Sequence, residues 1–506
     1  MTLLLGIDIG TSSAKVVLFD PATARVIAVA AREYPIHKPA PDRAEQNAED
    51  WWTASVDAVN EALEKAGRRD VAGIGFSGQM HGGVLLDEAG AIVRPAIIWA
   101  DLRTTAEVEA GLERVGARQH AAIAGTLPAA GFFAPTLLWL ARHEPESLQR
   151  AATLLMPKDY VRFRLTGLFG TDITDAAATA LFDVTRREWS PLLVEAYEAP
   201  PSLLPPVSAS AEVAGPLLPE AARILGLEPD IPVVFGCADQ PAQAIGNGVI
   251  APGLASVTTG SGGQVFTPLR FTSDRAPSDP RLHVFNHAAP HTWYVLGAIL
   301  SAGLSLRWLR GITGLDGVAS AYAQFSSEAG ALEPGADGLI FLPYLAGERT
   351  PHMDPAARGA FIGLSYHHTR GHLARAVMEG VAFALRQALE LSLALGGEVS
   401  TIIAAGGGAE SDVWRQIQAD VFGLPLQQTL LPEQAGVGAA LLAGVGAGVY
   451  PTIEAACERV VRYGPVTEPD AERHARYNAL YEQFVELYPR LREDFHRLAR
   501  TGVQSS

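Results

Sequence analysis

The side chains of this chain that could do chemistry sit in a few short stretches. The first is Asp8-Ile9-Gly10-Thr11-Ser12-Ser13-Ala14-Lys15. Gly10 allows close backbone approach, and successive N–H groups with the hydroxyls of Thr11, Ser12 and Ser13 form an anion nest suited to phosphates. Asp8, at a strand end, can hold Mg2+ through water, because magnesium keeps several waters and takes few carboxylates. A second stretch, Thr258-Thr259-Gly260-Ser261-Gly262-Gly263, offers the same groups. Two such loops would hold the phosphates of one nucleotide from both sides. Neither fits G-x-x-x-x-G-K-[ST], nor G-x-G-x-x-G between a strand and a helix, so P-loop and dinucleotide sites are set aside. Gly406-Gly407-Gly408 follows an apolar run and precedes a helix starting at Ser411, where bare backbone can accept a flat base and ribose. Each stretch alone is equally a tight turn needing glycine; it is their conjunction that points to a nucleotide.

Asp239, in Gly236-Cys237-Ala238-Asp239-Gln240-Pro241, closes an apolar run and precedes small residues. A carboxylate at the carboxyl end of a central strand lies where substrates bind in open α/β sheets. Phosphoryl transfer to an alcohol needs such a base within reach of the attacking hydroxyl; the plainer alternative is a helix cap. Cys237 has no histidine beside it and reads as a packing residue. The remaining stretch, Gly75 to Asp87 (GFSGQMHGGVLLD), puts Met80 and His81 between glycines, where packing alone rarely asks for that pair.

The elements that must position these groups follow from periodicity. Residues 2–9 and 15–20 read as a hairpin of strands, a meander and not a strand-to-helix unit. Asn47 is a plausible N-cap for a helix in which Trp52, Val56, Val59 and Leu63 recur until Gly67, leading into the strand 71–78. A strand pair, 83–87 and 92–99, is expected about the turn Asp87-Glu88-Ala89-Gly90. The proline-rich stretch 200–232 is expected to be irregular, followed by a strand ending on Asp239. Residues 254–266 (LASVTTGSGGQVF) form a second hairpin echoing the first, which suggests two related domains facing a cleft. A long amphipathic helix is expected from residue 371, with Leu373, Val377, Val381 and Leu385 on one face. The tail from about 470 reads as a charged helical surface cover.

Composition sets limits on partners. A chain of 506 residues exceeds what one core usually holds and implies two domains. Its net charge of −16 argues against a nucleic-acid footprint, and no apolar run reaches membrane-spanning length. The N-terminus lacks the basic region and cleavage site of a signal peptide, and two cysteines, Cys237 and Cys457, fit a reducing cytoplasm. Small molecules are the expected partners, with no nucleic acid and no membrane; a homodimer is left open.

GIDIGTSSAKVVLFD, GFSGQMHGGVLLDEAGAIVRPAIIWAD, MPKDYVRFRLTG, FLPYLAGERTPHMDPAARGAFIGL and GHLARAVMEG resemble the FGGY carbohydrate kinases, over residues 3 to about 490. The resemblance implies a two-domain α/β, ribonuclease-H-like fold of the actin and hexokinase ATPase type, with ATP, Mg2+ and sugar meeting in an interdomain cleft. It divides the chain into 1–248, with the sugar site and first phosphate loop, and 249–506, with the second phosphate loop, the adenosine site and a helical tail. By resemblance, Met80 and His81 line the sugar site, together with Trp99, Asp101 and Gln240. Asp239 is the catalytic base, Asp8 a phosphate-loop aspartate holding the metal through water, and Gly406, Gly407 and Gly408 are nucleotide-binding glycines. The ATP site is completed by Gly10, Thr11, Ser12, Ser13, Lys15, Thr259, Gly260 and Ser261. The chemistry agrees: His81 can hydrogen-bond sugar hydroxyls and Met80 offers a polarizable face to a carbon skeleton. The acceptor implied is D-xylulose. Departures from the family pattern at Ala100, Gln240, Thr136 and Gly260-Ser261-Gly262-Gly263 keep another ketose or polyol, such as ribulose, in view; the reading from a different class is an actin-like ATPase without sugar kinase activity.

Overall fold

The computed structural model describes residues 2–270 and 276–502. The chain folds into two compact units. Unit 1 comprises Met1–Ile250, Arg270–Tyr294 and Leu431–Arg462; unit 2 comprises Ala251–Leu269, Val295–Leu430 and Tyr463–Ser506. A single cut at 248/249 therefore misplaces segments 270–294 and 431–462, which pack with unit 1.

Unit 1 is built on the expected meander. Leu3–Ile9 pairs antiparallel with Ser13–Asp20, which pairs antiparallel with Arg25–Glu33, and Val71–Gly78 adds parallel to the first strand. Helix Ala48–Ala66 starts where its cap predicts, Asn47 Oδ1 accepting from the Glu49 N–H, and stops at Gly67 in the left-handed region. Its Trp51, Val59 and Leu63 are buried in the core of this unit. The other face of the sheet carries helix Gln434–Gly446. It lies so close that a Cβ at Gly6 would stand 2.0 Å from the Gly436 carbonyl oxygen, and one at Gly75 2.1 Å from that of Ala439. Glycine in the middle of two core strands, ordinarily unfavourable, is thus required by helix-to-sheet contact.

Three expectations for unit 1 are corrected. The pair about Asp87-Gly90 closes its turn, Asp87 Oδ1 accepting from the Ala89 and Ala91 N–H groups, but Val84–Leu86 takes Thr153–Leu155 as ladder partner and Ala96–Ile97 takes Glu45–Gln46. Pro95, with no N–H to donate, stands where the hairpin ladder would continue. The proline-rich stretch is ordered into the edge strand Val213–Pro216 and helix Pro219–Leu225, with Pro219 in the first turn where its missing donor costs nothing. The strand expected to end on Asp239 is broken at Gly236 (φ 76°) into Pro232–Val234 and Cys237–Ala238, and Asp239 opens helix Asp239–Gly246.

Unit 2 repeats the plan. Gly253–Thr259 pairs antiparallel with Gly263–Arg270 and parallel with Val399–Ala405, which pairs parallel with Leu426–Gln428. The amphipathic helix is Arg370–Ala394, with Val377, Val381 and Leu385 fully buried. The tail, helix Ala471–Gly502, is more than a cover: Tyr477, Tyr481, Phe484 and Tyr488 fall at helical spacing and belong to the core of this unit. Tyr477 donates to buried Glu379, which also pairs with Arg375.

Candidate active site

In unit 1, sheet register brings the candidate acids together. Asp8 and Cys237 both pair with Ser77, from opposite sides of Val71–Gly78, so Asp8 and Asp239 stand at the carboxyl ends of the two strands that flank it. Ser77 Oγ donates to Asp8 Oδ1 at 2.8 Å. Burial raises the Asp8 pKa against the pull of Ser77 and Lys15. Burial, then the charge of Asp8, pushes Asp239 up to about 7, while the backbone and side chain of Gln240 oppose the shift. Asp239 Oδ1 is buried without a hydrogen-bond partner, an arrangement that stabilises nothing and suits a base awaiting a hydroxyl.

The sign of that shift gives a prediction. Below pH 7 the Asp239 carboxyl holds its proton and cannot act as a base, so kcat/KM is expected to rise with pH through an apparent pKa near 7. Because the folded state binds this proton more tightly than the unfolded chain, the same group lowers stability as pH rises from its ordinary 3.8 through about 7. A pH–rate profile flat between 5 and 8 would remove Asp239 as the ionising base.

The first hairpin presents its peptide dipoles as an anion nest requires. The Gly10 carbonyl accepts from the Tyr34 hydroxyl, that of Thr11 from Gln46 Nε2, that of Ser12 from the Tyr34 N–H, and that of Ser13 from the Gly10 N–H. All four oxygens are thus engaged by the protein. Lys15 meets Glu433 at 3.0 Å, a half-exposed pair that a phosphate can displace at little cost.

Met80 is buried, and His81 has φ 73°, a left-handed conformation that an L-residue adopts at some cost. Its ring stacks on Phe132 with centroids 3.8 Å apart, and Nδ1 donates to the Ala178 carbonyl at 2.7 Å. A carbonyl only accepts, so Nδ1 carries a proton. Trp99 Nε1 donates to Thr11 Oγ1 at 2.9 Å. Asp101 is buried, and both its oxygens are taken, by the Ala44 N–H and by the backbone and guanidinium of Arg103. It anchors the Trp99 loop and has no acceptor position left for a substrate. Gln240 follows Asp239 in the first turn of its helix.

In unit 2, Thr259, Gly260, Ser261, Gly407 and Gly408 line one cavity of about 580 Å³. Gly406 stands behind them: a Cβ there would lie 2.8 Å from the Thr259 carbonyl oxygen. The Gly260 carbonyl accepts from the Gly303 N–H and that of Ser261 from Ala302 and Leu304, so this hairpin too turns oxygens toward the protein. Residues that sequence reasoning missed complete the walls: Leu306, Tyr322, Met378 and Trp414 are apolar or aromatic, and Arg307, Ser326, Glu410 and Ser411 polar. Trp414, third residue of helix Asp412–Phe422, which Ser411 caps, was the available signal. Such a cavity suits a planar base and ribose beside a phosphate-binding turn. Also missed were Gln46 and Gln79 behind the first hairpin; Gln79 Nε2 donates to Gln46 Oε1 at 2.9 Å, while Gln79 Oε1 is buried without a partner. Among the described residues no helix is long and apolar enough to cross a membrane.

Two units, each a meander hairpin with a parallel strand beside it and a polar turn at the sheet end, define a ribonuclease-H-like fold of the actin and hexokinase ATPase class. Residues 3–246 match the FGGY family of carbohydrate kinases, N-terminal domain, and residues 255–447 its C-terminal domain. The chain belongs to that family. It is 37% identical over 492 residues to the xylulose kinase of Escherichia coli (strain K12), covering 96% of this chain and 99% of the relative. With the xylulose kinase of Bacillus subtilis (strain 168) it shares 35% identity over 492 residues, 96% and 97% of the two chains. The crystal structure of xylulose kinase from Rhodospirillum rubrum superposes with a TM-score of 0.91 at 33% identity, covering 98% of this chain and 100% of that one.

Proposed function

We propose that this protein transfers the γ-phosphoryl group of ATP to D-xylulose, giving D-xylulose 5-phosphate, with Asp239 as general base. One observation carries the reading. The short helix Ile173–Ala178 anchors both halves of an acceptor site: Thr174 Oγ1 accepts from the Ala238 N–H, beside Asp239, and the Ala178 carbonyl accepts from His81. Four residues of helix separate the anchors by about 6 Å, the scale of a pentose. A carboxylate with a buried unpartnered oxygen and a strained Met-His turn held on one rigid element suit a sugar whose reacting hydroxyl must meet a base. The names of the relatives support the same acceptor.

In this mechanism Met80 and His81 orient the ketose, and Asp239 takes the proton of the attacking hydroxyl. The hairpin N–H groups and hydroxyls of Thr11, Ser12 and Ser13, with Lys15, and those of Thr259, Gly260 and Ser261, receive phosphates, while Gly406, Gly407 and Gly408 admit the adenosine. Asp8 would hold Mg2+ through water, and the ion would neutralise charge on the transferred group; a single half-buried carboxylate whose Oδ1 accepts from Ser77 fits a cation that takes few protein ligands. The cytoplasm is its proposed location, consistent with two free buried cysteines.

The acceptor is tested by a panel of D-xylulose, D-ribulose, L-ribulose, L-xylulose, glycerol, erythritol and gluconate. D-Xylulose is expected to lead in kcat/KM by more than about tenfold, roughly 1.4 kcal/mol in transition-state binding. His81→Ala should lower sugar kcat/KM by about tenfold or more while ATP saturation stays nearly unchanged. Ala100 and Gln240 favour a second reading, a kinase for another ketose or a polyol; a panel led by such a compound would establish it. ADP release that ignores every sugar would instead match an ATPase.

A further inference from the structure

We infer that Thr174 is a positioning residue for the base, the middle member of a buried relay running Lys158–Asp172–Thr174–Ala238 to Asp239; this rests on the reading of Asp239 as base. Lys158 Nζ lies 3.1 Å from Asp172 Oδ1. Thr174 Oγ1 donates to Asp172 Oδ2 at 2.8 Å and accepts from the Ala238 N–H at 2.8 Å. Ser210 Oγ and the Thr174 N–H also donate to Asp172 Oδ2, at 2.6 and 3.0 Å. Lys158, Asp172, Thr174 and Ala238 are all fully buried.

Each link fixes the next by donor and acceptor inventory. A hydroxyl has one proton, and Asp172 takes it, because a carboxylate only accepts. The oxygen of Thr174 is thereby oriented with its lone pairs toward the Ala238 N–H, and charge assistance from Asp172 shortens and strengthens the bond. Asp172 is in turn held by a cation that is fully buried and shared with Asp159 and Asp175. The strand Cys237–Ala238 is only two residues long, beginning after the left-handed Gly236 and ending at the helix that Asp239 opens. With so short a ladder, this side-chain bond sets where the Asp239 backbone leaves the sheet. Catalysis by proton abstraction depends on that placement, since an error of about 1 Å in a reacting group can cost a hundredfold in rate.

Thr174→Val removes the hydroxyl and keeps the branched shape; Thr174→Ser keeps the hydroxyl. The acceptor used is whichever panel sugar the wild-type enzyme phosphorylates best, so the relay is read independently of sugar identity. Purified Thr174→Val, corrected for its folded fraction by nucleotide titration, is expected to lose about tenfold or more in kcat with KM for ATP and sugar within about twofold, and Thr174→Ser to recover most of the rate. Val-variant turnover equal to wild type would overturn the relay, as would failure of Ser to restore what Val loses. If Val does not yield folded protein, Thr174→Ala, which deletes the same hydroxyl without added bulk, takes its place: the same loss in kcat is expected, and wild-type turnover would overturn the relay. Full turnover in Asp239→Asn would overturn the underlying base assignment, whereas an inactive Asp239→Asn with a fully active Thr174→Val would overturn the relay alone.

Discussion

Asp239→Asn is expected to lower kcat by about 10²–10⁴-fold while leaving nucleotide affinity within about twofold, because a carboxamide can hydrogen-bond the sugar hydroxyl but cannot take its proton. The substitution is close to isosteric, and Asp239 stands in the first turn of its helix, where asparagine is tolerated. Its Oδ1 has no protein partner to lose. Stability should move the other way. Burial and the neighbouring Asp8 make the ionised carboxylate costly, as its pKa near 7 records, so a neutral amide should melt at the same or a higher temperature above pH 7. Loss of rate without loss of stability separates a chemical role from a structural one. A folded Asn variant that keeps most of its turnover would mean that another group accepts the proton. The measurement is steady-state kinetics beside calorimetry and nucleotide titration on the same preparation.

Much of this architecture was legible because its determinants are local. Gly10 with three hydroxyl residues, Asn47 ahead of a 3.6-residue period and Gly67 behind it are turn and cap chemistry within a few residues of the structure they specify. What escaped depends on distant contacts. Helix Gln434–Gly446 is buried along almost its whole circumference, so its small apolar residues carry no amphipathic period, and its return to unit 1 could not be read. Gly6 and Gly75 were the available sign, since strand glycines mark close approach of another backbone. The site shows the same division. Met80, His81 and Asp239 stand out by residue type and neighbours, whereas the anchors of His81 and Asp239 are a main-chain carbonyl and a threonine hydroxyl of Ile173–Ala178. A carbonyl has no sequence signature at all, and Thr174 gains its meaning only from Asp172 and Lys158 on either side of a loop. Asp101 shows the converse: its type and place suggest a ligand contact, yet Arg103, two residues on, occupies it.

Lys158→Met is expected to destabilise unit 1 by about 3–5 kcal/mol near neutral pH, the penalty for removing one partner from a buried ionic group. Lys158 Nζ meets Asp159 at 2.7 Å, Asp172 at 3.1 Å and Asp175 at 3.1 Å, and all four side chains are fully buried. Arg162 is the other cation, 3.6 Å from Asp159, but it also donates to the Leu168 and Gly170 carbonyls and packs over Phe235, so it is not at liberty to replace the lysine. Methionine conserves the apolar stem and removes the charge, leaving up to three carboxylates in a dry site. Burial already holds the Asp175 carboxyl well above the usual carboxylate range, with Lys158 the main opposing influence; without the ammonium that acid must take up a proton to stay inside. The pH dependence follows. Lys158 itself has a raised pKa, so its contribution is complete everywhere below the ordinary lysine value of 10.5. The gap between wild type and variant should therefore shrink only on the acid side, where the proton that Asp175 must take up without Lys158 costs less. Urea unfolding at pH 8 and pH 5 measures both quantities. A loss below about 1 kcal/mol at pH 8, or a gap that widens on acidification, would show that the cluster is not held by this charge.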